Sequence, residues 1–499
     1  MAPNTTPGHA PRTVRFGCGF HPLVRSLPAE VRGAVNDGVV SEFEVFYRAM
    51  ASRDPRFDGR FVVAVTSTGI YCRPSCPSRT PQRRNSRFFT LPAAAEAAGF
   101  RACRRCRPDV QPTSPEWNVR GDLVGRALRL IAGGGVDDEG VAGLARRLAV
   151  SERHLHRQLV AEVGVGPQML AISRRARVAR MLIESTALPM SDVAFAAGYA
   201  SVRQFNHGMR AAFGCPPSEL RNAGSTGSAN GDLVLRLRYR PPLAWQPLLK
   251  SLATRALSGI EVVSGSCYRR AMRLPHGSGV VTAEFDGPPD VTIRLVLADL
   301  RDVTAAVARC REIFDLDADP QMIGDDLGSD PVIGPLVQAQ PGLRVPGCAD
   351  GFELAVRAVS GHQAALVSRL GEPLREPMFG LTHTFPSPET LAEADLPIPQ
   401  ADTIRALAKA VCTGELSLDR GADREESVAI LLALPGIEPR TAAHIAMHAL
   451  GDPDVFPHTD PELLAAARQH GIADSPAELQ RYAERWRPWR SYAAMHLLA

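Results

Sequence analysis

The sequence predicts a multidomain chain: a small α+β domain, an all-α domain, a second α+β domain and a C-terminal all-α domain. Three observations carry this reading. The chain has 499 residues, whereas an ordinary domain takes about 150. Its hydrophobic pattern changes along the chain from mixed to helical, back to mixed, and then to helical again. The stretch Asn222–Asp232, NAGSTGSANGD, has the composition of a flexible linker and divides the chain into two halves.

The elements follow in order. Residues 1–40 are rich in Pro, Gly and Arg without periodicity, and are expected to form a poorly ordered extension. The first domain, 41–115, opens with a helical stretch at Glu42–Met50 and a strand at Phe61–Val65. Residues 120–221 read as helical throughout, broken only by short Gly turns, and 222–231 form the linker. In 232–319, Leu233–Tyr239 alternates Leu with Arg, and Thr282–Phe285 and Val291–Val296 repeat the strand signal between helical stretches, which gives an α+β domain. From Pro320 to residue 499 the periodicity is mostly helical, punctuated by Pro and Gly.

A composition of 45% hydrophobic and 22% charged residues excludes a wholly disordered chain. No apolar run approaches the roughly 18 to 20 residues of a membrane span. The N-terminus lacks the apolar core of a secretory signal. The expectation is a soluble cytoplasmic protein. Net charge is +4, and Lys250 and Lys409 are the only lysines. A GC-rich genome accounts for the preference for Arg, but not for where the arginines fall. Between Tyr71 and Arg107 there are nine Arg against the single acid Glu96, and between Ala145 and Arg180 eight Arg against two Glu. Such clusters suit a phosphate backbone.

Six of the ten cysteines, Cys18, Cys215, Cys267, Cys310, Cys348 and Cys412, are scattered singly and read as buried small hydrophobes. The other four form two close pairs, Cys72-Arg-Pro-Ser-Cys76 and Cys103-Arg-Arg-Cys106, with 26 residues between them. Two thiolate pairs supply the four corners of tetrahedral zinc. On spacing alone, a purely structural zinc knot is the commoner meaning.

The stretch DGRFVVAVTSTGIYCRPSCPSR, closing with AAGFRACRRCRPD, resembles the N-terminal domain of the Ada family over about Phe57–Asp109. The resemblance implies one zinc ion held by Cys72, Cys76, Cys103 and Cys106. It also implies that Cys72 is a nucleophile that takes a methyl group from a methylphosphotriester in DNA. Arg73 and its neighbours would hold the backbone. The chemistry is sound, because zinc keeps a thiol deprotonated and the thiolate is the nucleophile.

Gly140–Gly164 reads as helix, turn, helix, with Leu144, Leu148, Leu155 and Leu159 facing inward and Ser151 as N-cap. Ser191–Gly214 repeats the design with Ser201 in place of Ser151. A plain helical bundle would explain one such pattern. The tandem pair, closed by AAFGCPPSELR, resembles the AraC-family DNA-binding domain over about 120–221. That resemblance places Glu152–Arg157 and Val202–His207 at the starts of two recognition helices. The side chains able to reach base edges are then Arg153, His154, Arg157, Arg203, Gln204 and Asn206.

In the last domain, LPGIEPRTAAHIAM (Leu434–Met447) places Pro and Gly between two helices. Backbone N–H groups there, around Gly436 and Glu438, would bind a DNA phosphate. Together with PGLRVPGCADGFELAVRAVSG (Pro341–Gly361), this segment resembles the helix-hairpin-helix DNA glycosylases of the AlkA type over about 232–499. The resemblance divides that half into an AlkA N-terminal-like domain and an all-α helix-hairpin-helix domain. It makes Asp460 the carboxylate facing a developing sugar cation, with Asp454 as nearest competitor. Departures from the pattern are Glu438 for the second hairpin Gly, Ser360 at the usual apolar wedge, Arg440 and His444 at aromatic positions, and Leu498 in the final helix. Arg440 cannot form an imine, so lyase chemistry is not expected. The Pro-Cys-His-Arg motif of the alkylguanine methyltransferase domain carried by many Ada proteins does not occur in this sequence.

The combined reading is an alkylation-damage protein that accepts methyl on Cys72, then activates transcription, and excises bases of the 3-methyladenine type. Its implied partners are double-stranded DNA and RNA polymerase, and the expected state is a monomer. The alternative is a zinc-containing regulator whose C-terminal half is a non-catalytic DNA clamp.

Overall fold

The computed structural model describes residues 41–110, 121–137, 139–221, 233–288 and 290–499. The extension expected for 1–40 and the linker 222–231 lie outside the described residues.

The first helix, Glu42–Ala51, starts at Ser41, whose hydroxyl accepts a hydrogen bond from the Glu44 N–H. It buries Val45, Phe46, Ala49 and Met50 against Phe57, Phe61 and Val63. Four short strands follow: β1 Val62–Val65, β2 Ile70–Cys72, β3 Ser86–Phe89 and β4 Arg101–Ala102. They form one sheet in the order β3-β1-β2-β4. β1 is antiparallel to β2 and β3, whereas β2 and β4 run parallel, with Ile70 opposite Arg101 and Tyr71 opposite Ala102. The helix Pro92–Ala97 lies between β3 and β4 and allows that parallel return.

Among the described residues six helices follow: Leu123–Ala132, Gly140–Arg147, Glu152–Val163, Pro167–Ser185, Met190–Ala196 and Val202–Phe213. The two predicted N-caps are present. Ser151 accepts from the His154 N–H and Ser201 from the Gln204 N–H, each at 3.2 Å. Leu144, Leu148, Leu155 and Leu159 are all buried, as the heptad-like spacing requires.

A five-stranded antiparallel sheet comes next: β5 Leu233–Arg238, β6 Glu261–Ser264, β7 Cys267–Leu274, β8 Gly277–Glu284 and β9 Asp290–Leu297, in the order β5-β9-β8-β7-β6. The alternation in β5 is literal: Leu233, Leu235 and Leu237 point inward and Arg236 outward. β6 and β7 were not evident in the sequence because their buried side includes Glu261 and Arg270, which pair with each other at 2.7 Å. Two buried charges erase the polar–apolar alternation that marks a strand.

The remaining chain is mostly helical. Its exception is a hairpin, β10 Glu372–Met378 and β11 Leu381–Thr384. Only Leu374 and Leu381 of this hairpin are fully apolar and buried, packed on Ala271 and Val280 of the five-stranded sheet. A strand reading EPLREPM carries two prolines and little hydrophobic pattern, so nothing in it announces β-structure.

The two halves are not independent bodies. One apolar core runs from the zinc-side domain (Val62, Tyr71, Phe100) through the helix Pro167–Ser185 (Leu182) and the second helix-turn-helix (Phe205, Met209) to the five-stranded sheet (Leu235, Ile293, Leu295). Arg60 pairs with Asp319 across this junction at 2.7 Å, the two side chains being 1% and 4% exposed. On another face the helix Leu123–Ala132 and the first helix-turn-helix dock on residues 419–423. Arg126 donates to the Gly421 carbonyl at 2.9 Å and reaches Asp423 at 3.1 Å, and Arg147 pairs with Asp419 at 2.8 Å. Gly421 is required there, because a Cβ on it would lie 2.2 Å from Leu130 Cγ.

Removing one partner of a buried ion pair strands the other, at a cost of about 3–5 kcal/mol. Asp319 keeps Arg240 at 3.9 Å, so Arg60→Ala is expected near the lower end, about 3 kcal/mol. Calorimetry should show a lower unfolding midpoint, with the N-terminal domain melting ahead of the rest. An unchanged single transition would show that the pair does not hold the halves together.

Candidate functional site

The parallel register of β2 and β4 brings the two cysteine pairs together. Cys72 ends β2 and Cys103 follows β4, and the Cys103 N–H donates to the Tyr71 carbonyl at 3.0 Å. Cys76 sits in a tight turn closed by its N–H on the Arg73 carbonyl at 3.1 Å. All four sulfurs of Cys72, Cys76, Cys103 and Cys106 lie within 4.8 Å of one another. A tetrahedron of Zn–S bonds of about 2.3 Å sets its sulfurs about 3.8 Å apart, so the cluster closes on zinc with small adjustments. The chemistry of the donors agrees. Hydrogen bonds with Cys106 and Cys76, and then burial, push the Cys72 thiol far above its ordinary range, while hydrogen bonds with Cys106 and Cys72 push Cys76 below it; a cation among them would favour thiolate at each sulfur.

Cys72 differs from the other three. Cys76, Cys103 and Cys106 are buried, while Cys72 is half-exposed. With the buried Cys76 and Cys103 it lines a pocket of about 270 Å³ whose wall combines apolar Met50, Val63 and Ile70 with Arg73 and Arg79. Arg73 is tied to Asp58 at 3.2 Å, and Asp58 accepts from the Ser75 N–H and hydroxyl at 3.0 and 2.6 Å. The loop Arg73–Ser75 is thereby fixed beside the sulfur.

The arginine clusters divide once seen in three dimensions. In the helix Pro167–Ser185, Arg174 and Arg175 both bind Asp137, and Arg180 binds Asp109 at 3.1 Å and Glu184 at 2.9 Å. Those three are internal ties, not free phosphate ligands. So is Arg107, which pairs with Glu184. Arg79, Arg84, Arg104 and Arg105 remain exposed near the cysteines. On the two predicted recognition helices, Arg153, Arg157, Arg203 and Gln204 are exposed, and His154 and Asn206 are half-buried.

The predicted helical hairpin joins the helices Arg424–Ala433 and Pro439–His448. Gly436 has φ +80°, and a Cβ there would meet Thr403 Oγ1 at 2.4 Å, so the turn admits no side chain. Glu438 is the N-cap of the second helix without a capping hydrogen bond, and both residues are exposed.

Asp460 caps the helix Pro461–Gln469. One carboxylate oxygen accepts from the Glu462 and Leu463 N–H groups at 3.0 and 3.1 Å. The other faces Arg440, with an N···O distance of 3.7 Å. Asp460, Arg440, His444 and Leu498 share a cleft of about 710 Å³. Burial, and then Arg255, push His444 down to about 4, so the imidazole is neutral at pH 7. Asp454 is held by Arg487 and Arg490 at 2.7 and 2.8 Å and does not line the cleft. Ser360 is buried at the end of the helix Gly351–Val359, where its hydroxyl accepts from the His362 N–H at 3.1 Å. The opposite wall comes from the helix Trp245–Thr254 and the residue after it: Lys250, Ser251, Thr254 and Arg255. Sequence reasoning did not find this wall. Lys250 had stood out as one of two lysines, but nothing local connects it to Asp460, 210 positions away in the chain.

A tetrathiolate centre, paired helix-turn-helix units and a helical hairpin beside a carboxylate cleft define a composite DNA-binding protein. Family models agree module by module: the metal binding domain of Ada matches residues 45–109, a helix-turn-helix domain 144–223, and the AlkA N-terminal domain 234–350. The chain is 48% identical over 476 residues to the "Probable bifunctional transcriptional activator/DNA repair enzyme AlkA" of Mycobacterium tuberculosis, covering 91% of this chain and 96% of that one. It is 36% identical over 282 residues to DNA-3-methyladenine glycosylase 2 of Escherichia coli, covering 52% of this chain and 95% of that protein. It is 38% identical over 134 residues to the bifunctional transcriptional activator/DNA repair enzyme Ada of Escherichia coli, covering 26% of this chain and 36% of that one. The chain therefore belongs to the family of bifunctional transcriptional activator/DNA repair enzymes that join an Ada-type zinc domain to an AlkA-type half, and its cysteine centre holds one zinc ion.

Zinc content tests the centre directly. The purified protein should carry one zinc per chain, and Cys106→Ser should lose it. Structural zinc typically contributes about 10 kcal/mol or more to folding, so chelation should also lower the thermal midpoint of the N-terminal domain. Full zinc retention by the Ser variant would sink the four-cysteine assignment.

Proposed function

We propose that the protein both senses and repairs DNA alkylation. Cys72 attacks the methyl group of a backbone methylphosphotriester: a sulfur–carbon bond forms, the methyl–oxygen bond breaks, and the phosphate leaves as a diester anion. The observation that carries this reading is the inequality of the four sulfurs. Cys76, Cys103 and Cys106 are buried, while Cys72 is half-exposed at a pocket with apolar and arginine walls that Cys76 and Cys103 line only from within. A methylphosphotriester is uncharged until it reacts. An apolar wall therefore suits it before transfer, and Arg73 and Arg79 suit the anion afterwards.

Zinc supplies the charge that keeps the sulfurs as thiolates. Four thiolates and one Zn²⁺ sum to −2, and methylation of Cys72 brings this to −1. Less repulsion of phosphate then favours promoter binding through Arg153, His154, Arg157, Arg203, Gln204 and Asn206. In this reading the methylated protein acts as a monomer on duplex DNA, recruits RNA polymerase, and works in the cytoplasm at the nucleoid.

The second activity is hydrolytic release of 3-methyladenine-type bases, with Asp460 stabilising the sugar cation. Gly436 and the Glu438 N–H would hold a phosphate at the hairpin. A non-catalytic clamp is the rival reading. What favours it is Arg440, which sits over Asp460 where an electron-rich ring would serve better.

Three measurements decide. Reaction with methylated DNA should add one methyl, 14 Da by the chemistry of thiolate alkylation, to a peptide containing Cys72; label on Cys76, Cys103 or Cys106 would overturn the nucleophile. Promoter affinity should rise after methylation, and the gain should shrink with added salt; an affinity indifferent to methylation would leave the centre without a switching role. Asp460→Asn should slow release of methylated bases about 100-fold or more, leaving an intact abasic strand and no borohydride-trapped adduct. Equal release by both proteins would establish the clamp.

A further inference from the structure

A methylphosphotriester carries no charge until its methyl group leaves. Its own field therefore cannot draw an arginine to the oxygen that will become anionic. A long side chain left free samples many rotamers, so the guanidinium has to be held in place before the reaction begins.

The two arginines in the wall beside Cys72 differ in this respect. Arg79 is exposed and has no ion-pair partner among the described residues. Arg73 is half-buried, and its guanidinium has a single ion-pair partner among them, Asp58, at 3.2 Å. The Asp58 side chain is only 10% exposed, so water competes little for the pair. The same carboxylate accepts from the Ser75 N–H at 3.0 Å and from the Ser75 hydroxyl at 2.6 Å. It thus grips both ends of the Arg73–Ser75 segment that lies between Cys72 and Cys76.

The backbone under Asp58 is fixed as well. Its N–H donates to the Pro55 carbonyl at 3.1 Å, Gly59 turns the chain at φ +80°, and the Arg60 N–H donates to the Phe57 carbonyl at 3.0 Å. Arg60 then anchors the bend in the C-terminal half through its buried pair with Asp319. A carboxylate on so closed a bend can fix a long side chain opposite it.

We propose that Asp58 is a positioning residue for methyl transfer, holding the Arg73 guanidinium where the departing phosphate oxygen gains its charge. The proposal rests on the reading of Cys72 as methyl acceptor. As the sulfur–carbon bond forms and the methyl–oxygen bond breaks, the bonding pair goes to that oxygen. A guanidinium already in place stabilises the new charge without having to move. Asp58 touches neither the methyl group nor the phosphate; it acts through Arg73.

Asp58→Asn is the test, because asparagine can still accept from the Ser75 N–H but loses the charge that holds Arg73. The full chain is assayed for zinc content, for single-turnover transfer from a duplex methylphosphotriester, and for alkylation of Cys72 by methyl iodide, which has no phosphate to stabilise. Zinc should stay at one per chain, and the methyl iodide reaction should keep its rate. The maximal rate of transfer from DNA should fall about 10-fold or more, on the scale of a misplaced reacting group. The duplex concentration giving half-maximal rate should change little, since the unreacted triester is uncharged. Arg73→Gln should lose at least as much, and the double variant no more than Arg73→Gln alone, because the two residues act as one unit. Unchanged transfer in Asp58→Asn, independent losses in the double variant, a parallel fall in the methyl iodide reaction, or loss of zinc would each overturn the positioning role. Failure of the wild type to take methyl from the triester, or label on another cysteine, sinks the reading of Cys72 and the proposal with it.

Discussion

A parallel pairing of only two residue pairs, Ile70 with Arg101 and Tyr71 with Ala102, sets where the two halves of the cysteine centre meet. So short a ladder cannot hold itself, since two residue pairs do not offset the ordering of the loop that joins them. Zinc closes the link, joining the chain on either side of the 26-residue insertion. That clamp then carries the rest. It fixes the sheet, and the zinc-side domain then contributes Val62, Tyr71 and Phe100 to the core shared with the second helix-turn-helix and the five-stranded sheet.

The same sheet places Asp58 and Arg60 on a short bend between chemically different neighbours. Asp58 holds Arg73, the residue next to the half-exposed Cys72, while Arg60, two positions on from Asp58, is buried against Asp319. Cys72 and the start of the helical half are thus linked through a stretch of a few residues. Asp319 also caps the helix Pro320–Leu327 through the Gln321 and Met322 N–H groups, both at 3.1 Å.

How much of this was legible in the sequence depends on range. Where a site is built from neighbours in the chain, its residues announce it: the cysteine pairs, the Ser caps and the Gly436 turn all stand where spacing puts them. Burial of charge was not legible. Nothing local distinguishes Arg174, locked on Asp137 inside the molecule, from Arg153, open to solvent, and the arginine count overstated the DNA-facing surface accordingly. The strands β6 and β7 were hidden for a related reason, since Glu261 and Arg270 satisfy each other on the buried side. Asp460 could be found by resemblance, but the helix Trp245–Thr254 facing it could not. That wall exists only because two distant segments fold against each other.

The contact between Leu130 and Gly421 has a consequence for how such a fusion can change. The seat under Leu130 is an absent side chain, since any Cβ at 421 would fall within 2.2 to 2.8 Å of three leucine carbons. A keyhole of this kind is binary. One methyl group there must displace the Leu130 side chain, on the helix Leu123–Ala132, from its seat on the 419–423 loop. The contact lies on the seam between the N-terminal helices and the C-terminal half. In this molecule part of the seam is a single hydrogen atom wide, and a one-codon change could reopen it.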